Sequence, residues 1–477
     1  MKKLLLSIIL LCCLPTLYAR NHDSYPSYES YIQYMQEISE THKDICRLDT
    51  IGFSVNGRLL LCLKISSSPN GEINKPKFFY SAAMHGNELT GAIMLLRLID
   101  SLVTNPDNTV NLPHFPVVYI CPFANPDGTW VGGNNKPYAA VRYNANYVDL
   151  NRNYPDIRNG RNTDGENRQV ETEAFIEYQM KEKFNLSCNL HTGSEVFNYP
   201  WDSYISERNK HADDDWFKTL GNDFITELND ESGKYFTDVS SNGIVEGGDW
   251  YVIHGSRQDW STYFAHCREV TLEVSMDYIV PENTLDNYWH KLKNSLFVFF
   301  DYCNLGFNGI ITDSITSKTL ADVKVEMEQY DKDSSQVFSN DYGYYFRPIL
   351  DGTYSVTFSK DGYYSKTYNI NVTNSLEEQN VELVPINTSD NEIKNTTNIS
   401  YKIYPTIAEN EITIQIFGNC PQHLTYTITD MEGIVKITGR VKSCTEKINI
   451  GQLSAGSYIL RLNNNNYPLS IEKFIKK

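Results

Sequence analysis

The 477-residue sequence predicts an α/β domain, a mixed sheet covered by helices, followed by two small all-β sandwich domains. Three observations carry this. Apolar strand-like runs alternate with helical patterns up to about residue 304. Helical patterns stop after DYCNLGFNG (301–309), leaving short alternating runs and turn signals. A polar stretch, NTSDNEIKNTTNIS (387–400), then divides the all-β part in two.

Taken in order, the chain opens with Lys2 and Lys3, the apolar run LLLSIILLCCL, then TLYA. This pattern predicts an export signal over 1–19, cut after Ala19. The run is too short to cross a hydrocarbon core of about 30 Å. No other segment is apolar enough to span a membrane. KFFYSAAM (77–84) reads as a buried strand. ELTGAIMLLRLIDSLV (88–103) reads as a helix with Leu89, Ala92, Ile93, Leu96 and Ile99 on one face. VVYIC (117–121), FNLSCNL (184–190) and REVTLEV (268–274) read as further strands, and QVETEAFIEYQMKEKF (169–184) as a helix. The α/β domain thus covers 20–304. In 305–386 an Asp-Gly stands between two alternating runs, which marks a hairpin within a small sandwich. Segment 387–400 is a linker, and 401–477 is again all-β by pattern.

Composition narrows the function. Hydrophobic residues make up 41% and charged residues 21%, so the chain can bury a large core. A formal charge of −17 argues against nucleic-acid binding, which needs a basic face. Of the ten cysteines two lie in the signal, and the rest form no CxxC pair, so a thiolate zinc site is not expected. Export permits disulfides. Cys121 and Cys188 sit in strand-like runs and read as buried thiols.

Four stretches carry chemistry. MHGNELTG (84–91) places His85 and Glu88 where a strand gives way to a helix, beyond a strand's carboxyl end, where open α/β sheets build their sites. Imidazole and carboxylate suit zinc, although a capping glutamate beside a solvated histidine gives the same pattern. His191 follows another apolar strand and is the candidate third ligand. Two histidines and a glutamate would leave the open position of a catalytic zinc site. NPDG (125–128) and VRYNANYVDLNRNYPD (141–156) bring arginines whose rigid donor fork suits a carboxylate. EVTLEVS (269–275) places Glu269, Thr271 and Glu273 on one strand face. A carboxylate kept there serves as a general base or as half of a buried ion pair.

HGNE, the distant LHTGS, NPDG, DLNRNYP, GDWYVIHGSRQDW and EVTLEVS occur in that order, and together they resemble the zinc metallocarboxypeptidase family. NANYVDLNRNYPD and NYPWD look most like its regulatory, N/E-like subfamily, which removes C-terminal Arg and Lys. The resemblance covers about 24–300. Residues 306–386 resemble the transthyretin-like sandwich that accompanies this subfamily. The end of the chain, with its YP start, D-x-x-G turn and KFIKK, resembles a type IX secretion sorting domain.

The resemblance implies roles. His85, Glu88 and His191 hold one Zn2+. Arg142 faces the scissile carbonyl and its oxyanion. Asn151 and Arg152 bind the terminal carboxylate. Tyr251 closes over the substrate, and Glu273 is general base and then general acid, activating water together with the zinc. Asp202 and Gln258 line the side-chain pocket and imply preference for Arg or Lys. Arg257 stands where relatives carry an apolar residue, and pairing with Asp202 would weaken that preference. The implied partners are peptide and protein C-termini and the type IX machinery, with no nucleic acid, for a monomer secreted by or displayed on a Gram-negative cell after passing the periplasm. Two other readings are a relative trimming cell-wall peptides and a catalytically silent binding protein. The NYPWD match counts against the first. The complete constellation counts against the second.

Overall fold

Three apolar runs of the sequence become adjacent parallel strands, and the site grows from their carboxyl ends. They belong to an eight-stranded sheet: β1 (Cys46–Phe53), β2 (Leu59–Ile65), β3 (Lys77–Ala82), β4 (Val117–Cys121), β5 (Leu186–His191), β6 (Ser194–Tyr199), β7 (Ile244–Glu246) and β8 (Arg268–Ser275). The order is β1-β2-β4-β3-β5-β8-β6-β7. β4, β3, β5 and β8 run parallel, while β1 against β2, β2 against β4 and β6 against β8 are antiparallel, so the sheet is mixed. The computed structural model describes residues 22–71, 74–161, 163–386, 400–417, 424–431, 434–464 and 467–477. The export signal expected at 1–19 lies outside them, as does all of the linker except Ser400.

Alternation along each strand feeds two cores. Tyr80 joins the layer packed by α1 (Tyr28–Thr41), α2 (Thr90–Thr104), α5 (Asp214–Thr226) and α8 (Leu285–Tyr302), whereas its neighbour Phe79 joins Phe175 and Tyr178 of α4 (Val170–Glu182) and Trp260 on the other face. Each such aromatic or aliphatic side chain, fully buried, stabilises the fold by about 1.5–3 kcal/mol. α2 departs from the amphipathic expectation. Every residue from Thr90 to Ile99 is buried, because α8 covers the side turned away from the sheet. The short helices α3 (Pro126–Thr129), α6 (Gly247–Trp250) and α7 (Arg257–Phe264) lie in the connections.

Residues 306–385 form two small sheets. One pairs Val337–Phe338, Lys324–Glu326, Gly352–Ser359 and Lys366–Val372; the other pairs Tyr344–Pro348, Gly306–Asp313, Val381–Pro385 and Tyr363–Tyr364. The expected hairpin is present, with Thr353 opposite Asn371. Its connection does more than turn: after Asp361-Gly362, Tyr363–Tyr364 joins the second sheet. Phe307, Ile311, Val356 and Phe358 fill the core between the sheets. The described residues up to Ile386 form one compact unit and those from Ser400 onward a second. The second unit is all-β, with Ile412, Ile414, Ile428 and Leu460 at its centre.

Candidate active site

β3 ends at Ala82, and the chain turns through His85 and Glu88 before α2 begins at Thr90. Gly86 permits this turn to touch the NPDG segment. A Cβ there would lie 2.3 Å from the carbonyl carbon of Gly128. Asn125 braces the contact, accepting the Gly128 N–H at 2.9 Å and donating to the Met84 carbonyl at 3.2 Å. Glu88 does not cap α2, which has no side-chain cap. Its oxygens instead meet two imidazoles, His85 Nδ1 and His191 Nδ1, each at 2.8 Å. His191 is the last residue of β5 and pairs in register with Glu273 on β8, which sets the carboxylate beside the histidines.

The two Nδ1 atoms are 3.1 Å apart. Two ring nitrogens at that distance cannot both carry hydrogens, and a shared cation suits them. Nitrogen ligands at about 2.0–2.1 Å around a tetrahedral zinc stand about 3.3 Å from one another. All three side chains are buried, and their ligand atoms fall within 4.8 Å of one another. The residues therefore fit a zinc ion. Asp149 lies 3.0 Å from His85 Nε2, so it accepts the outer hydrogen and fixes the tautomer that leaves Nδ1 for metal. Burial alone would raise the Asp149 pKa, but the His85 bond and the Arg142 and Arg152 charges hold it well below the usual range. For Glu88, too, the His85 and His191 charges outweigh burial and hold the carboxylate down.

His85, Glu88, Arg142, Asn151, Arg152, His191, Asp202, Tyr251 and Glu273 all line one cavity. Arg142 spans the metal group, with Nη1 3.1 Å from Glu88 and Nε 3.0 Å from Asp149. Asn151 Oδ1 accepts the Arg257 N–H at 3.0 Å, which leaves its amide nitrogen for a ligand. Tyr251 is half exposed at the rim. Glu273 is buried, and its Oε2 has no hydrogen-bond partner. Burial, and then the Glu88 charge, push its pKa well up, against the pull of Arg142. Asp202 is buried against the same cavity. Gln258, wholly buried behind it, donates to Asp202 Oδ1 at 2.9 Å and to Asn198 Oδ1 at 3.1 Å. Burial raises the Asp202 pKa to about 6. Gly247 closes against it, since a Cβ there would lie 2.0 Å from Asp202 Oδ1.

Arg257 corrects an expectation. It does not reach Asp202. Its Nε donates to Glu269 at 2.8 Å, both side chains are fully buried, and the guanidinium lies over Phe79 and Phe175 at 5.5 and 5.8 Å. Consecutive helical residues point about 100° apart, so Gln258 turns to the pocket while Arg257 turns to the opposite core. On β8 both readings of a strand carboxylate are realised: Glu269 is the structural ion pair, and Glu273 is the group facing the cavity. Sequence reasoning passed over Asp149 and Asp259. Asp149 stands two places before Asn151 in DLNRN. Asp259 follows Gln258 and accepts the backbone N–H groups of Asp202 and Ser203 at 2.8 and 2.9 Å.

The zinc carboxypeptidase family matches residues 31–295, a carboxypeptidase regulatory-like domain matches 306–384, and a secretion system C-terminal sorting domain matches 402–477. The carboxypeptidase N catalytic chain of Mus musculus is 33% identical over 368 residues, covering 69% of this chain and 79% of that protein. Carboxypeptidase M of Mus musculus is 32% identical over 342 residues, covering 68% and 76%. Carboxypeptidase D of Homo sapiens is 31% identical over 346 residues, and this chain spans 25% of that longer protein. A solved carboxypeptidase A from Helicoverpa armigera aligns at a TM-score of 0.48 and 18% identity over 58% of this chain and 73% of that one. The family match and the relatives agree with the buried His-Glu-His group: the chain belongs to the zinc carboxypeptidase family and is a metallocarboxypeptidase.

Proposed function

We propose that this enzyme removes single C-terminal Arg or Lys residues from peptides and proteins outside the cell, using one zinc ion held by His85, Glu88 and His191. The observation that carries the specificity is the buried Asp202 carboxylate lining the cavity, held by Gln258 at 2.9 Å and free of Arg257. A cationic side chain entering there gains a desolvated partner that an apolar one would leave unpaired. Arg152 and the Asn151 amide supply donors for the terminal carboxylate, which only a chain end presents. Zinc supplies, when bound, a Lewis acid that polarises a carbonyl and lowers the pKa of water. Glu273 Oε2 takes the proton from the attacking water and returns it to the leaving nitrogen as the C–N bond breaks. Arg142 places positive charge beside the developing oxyanion, and Tyr251 closes the rim over the bound end.

Paired peptides ending in Arg or Phe, incubated with and without a zinc chelator, test this. Release of Arg alone, abolished by the chelator, is the expected result. Release of Phe would sink the Asp202 assignment. Release of neither would sink the exopeptidase reading. The sorting domain supports secretion or cell-surface display. We assign export to a signal cut after Ala19 and to type IX passage that removes 401–477. Mass spectrometry of the exported form checks both ends, and an intact 401–477 would refute the second.

A further inference from the structure

The regulatory-like domain inserts a charge into the α/β domain. Arg347, on the strand Tyr344–Pro348, is fully buried, and its fork grips both oxygens of Asp213, with Nη1 on Oδ2 and Nη2 on Oδ1, each at 2.8 Å. Arg268, the first residue of β8, donates to the same Oδ2 through Nε at 2.8 Å, and through Nη2 to the carbonyl of Ser335 in the sandwich. Asp331 of the sandwich accepts from Arg347 Nη2 at 2.8 Å. Each domain contributes one acid and one arginine, and the four buried charges cancel.

Asp213 leads on toward the substrate pocket. Its N–H donates to His211 Nδ1 at 2.9 Å. The His211 ring packs on Trp201 at 4.9 Å between centroids. Trp201 is wholly buried, immediately precedes Asp202, and accepts the Gly248 N–H at 2.8 Å. Asp202 therefore sits between two supports. One is Asp259 of α7, holding the backbone N–H groups of Asp202 and Ser203. The other is the stack Trp201–His211–Asp213, which ends on a guanidinium from the other domain.

We propose that Arg347 is a positioning residue for the side-chain pocket, so that the regulatory-like domain sets how well the enzyme distinguishes a cationic C-terminal residue. This rests on the reading of Asp202 as the partner of that side chain. A bidentate fork fixes the orientation of Asp213, which a point charge does not, and a misplacement of about 1 Å by a distant substitution can cost about 10²-fold at the group misplaced, here the one that meets the substrate's side chain.

The test compares kcat and KM of the full chain on two peptides that differ only in ending in Arg or Ala. Arg347→Met is expected to lower the Arg:Ala ratio of kcat/KM about tenfold, through the KM of the Arg peptide, with kcat on the Ala peptide and zinc content unchanged. Arg347→Lys, which keeps the charge and loses the fork, is expected to fall between. Val356→Ala, in the sandwich core away from this stack, lowers the melting temperature and is expected to leave the ratio unchanged. An unchanged ratio in folded Arg347→Met, or an equal drop in Val356→Ala, overturns the proposal. If Arg347→Met does not fold, Arg347→Lys decides in the same way. A wild type that prefers neither peptide removes the Asp202 reading itself, and this inference with it.

Discussion

Two carboxylates in one cavity differ in what holds them, and each difference has a measurable sign. Glu273 keeps a bare Oε2 in a buried site, the state of a group that has a proton to move. Glu273→Gln preserves shape and removes the proposed base; kcat is expected to fall about 10²–10⁴-fold with little change in KM, read by steady-state kinetics at constant zinc content. Asp202 lies at about 6 because burial raises it. In the proposed pocket its charged form would receive the cation, so kcat/KM for an Arg-ended peptide is expected to rise as pH rises through about 6. Dividing by kcat/KM for an Ala-ended peptide cancels every group common to both, and a flat ratio between pH 5 and 7.5 would refute the assignment. Asp202→Asn is expected to cost about a hundredfold on the Arg peptide and little on the Ala peptide.

At the scale of elements, β8 carries a structural carboxylate and the proposed general base four residues apart on one face. Removing Arg257 leaves Glu269 charged and buried, with Ser187 Oγ as its remaining donor at 2.7 Å. Arg257→Met is expected to destabilise the domain by about 3–5 kcal/mol, and adding Glu269→Gln to recover most of that, as urea unfolding of the single and double variants would show. The sequence displayed β8 plainly because its polar positions alternate, and displayed the His85–Glu88 turn because candidate ligands stand where a strand ends. It hid Arg257's direction, since neighbours on a helix diverge. It also hid Asp149, which meets His85 across 64 positions. Asp149→Asn is expected to weaken zinc affinity about 10–100-fold, measured by competition with a chromogenic chelator.

Across the whole molecule, the order of domains was legible in composition, as the loss of helical periodicity and a polar break. The union of the first two was not, because its buried charges, Asp213 and Arg347, stand 134 positions apart. That union carries an acid sensitivity. Burial, reinforced by the Arg268 and Arg347 charges, pushes His211 down to about 3. The unfolded chain takes up this proton near 6.5 and the folded one does not, so the contribution of His211 is full above about 6.5 and is lost as pH falls from there toward 3. His211→Phe is expected to reduce the fall of the urea midpoint between pH 7.5 and 5. A chain ending at 386 keeps the first unit whole and is expected to retain kcat/KM within about twofold.

One further property follows from the thiols. Cys46, Cys62, Cys121, Cys188, Cys267 and Cys303 are buried and unjoined, and among the described residues no disulfide closes any loop. Among its described residues the first unit thus draws its stability from packing and buried charge rather than from cross-links. A reductant that would open a stapled fold therefore finds no bond to cut among the described residues of this unit.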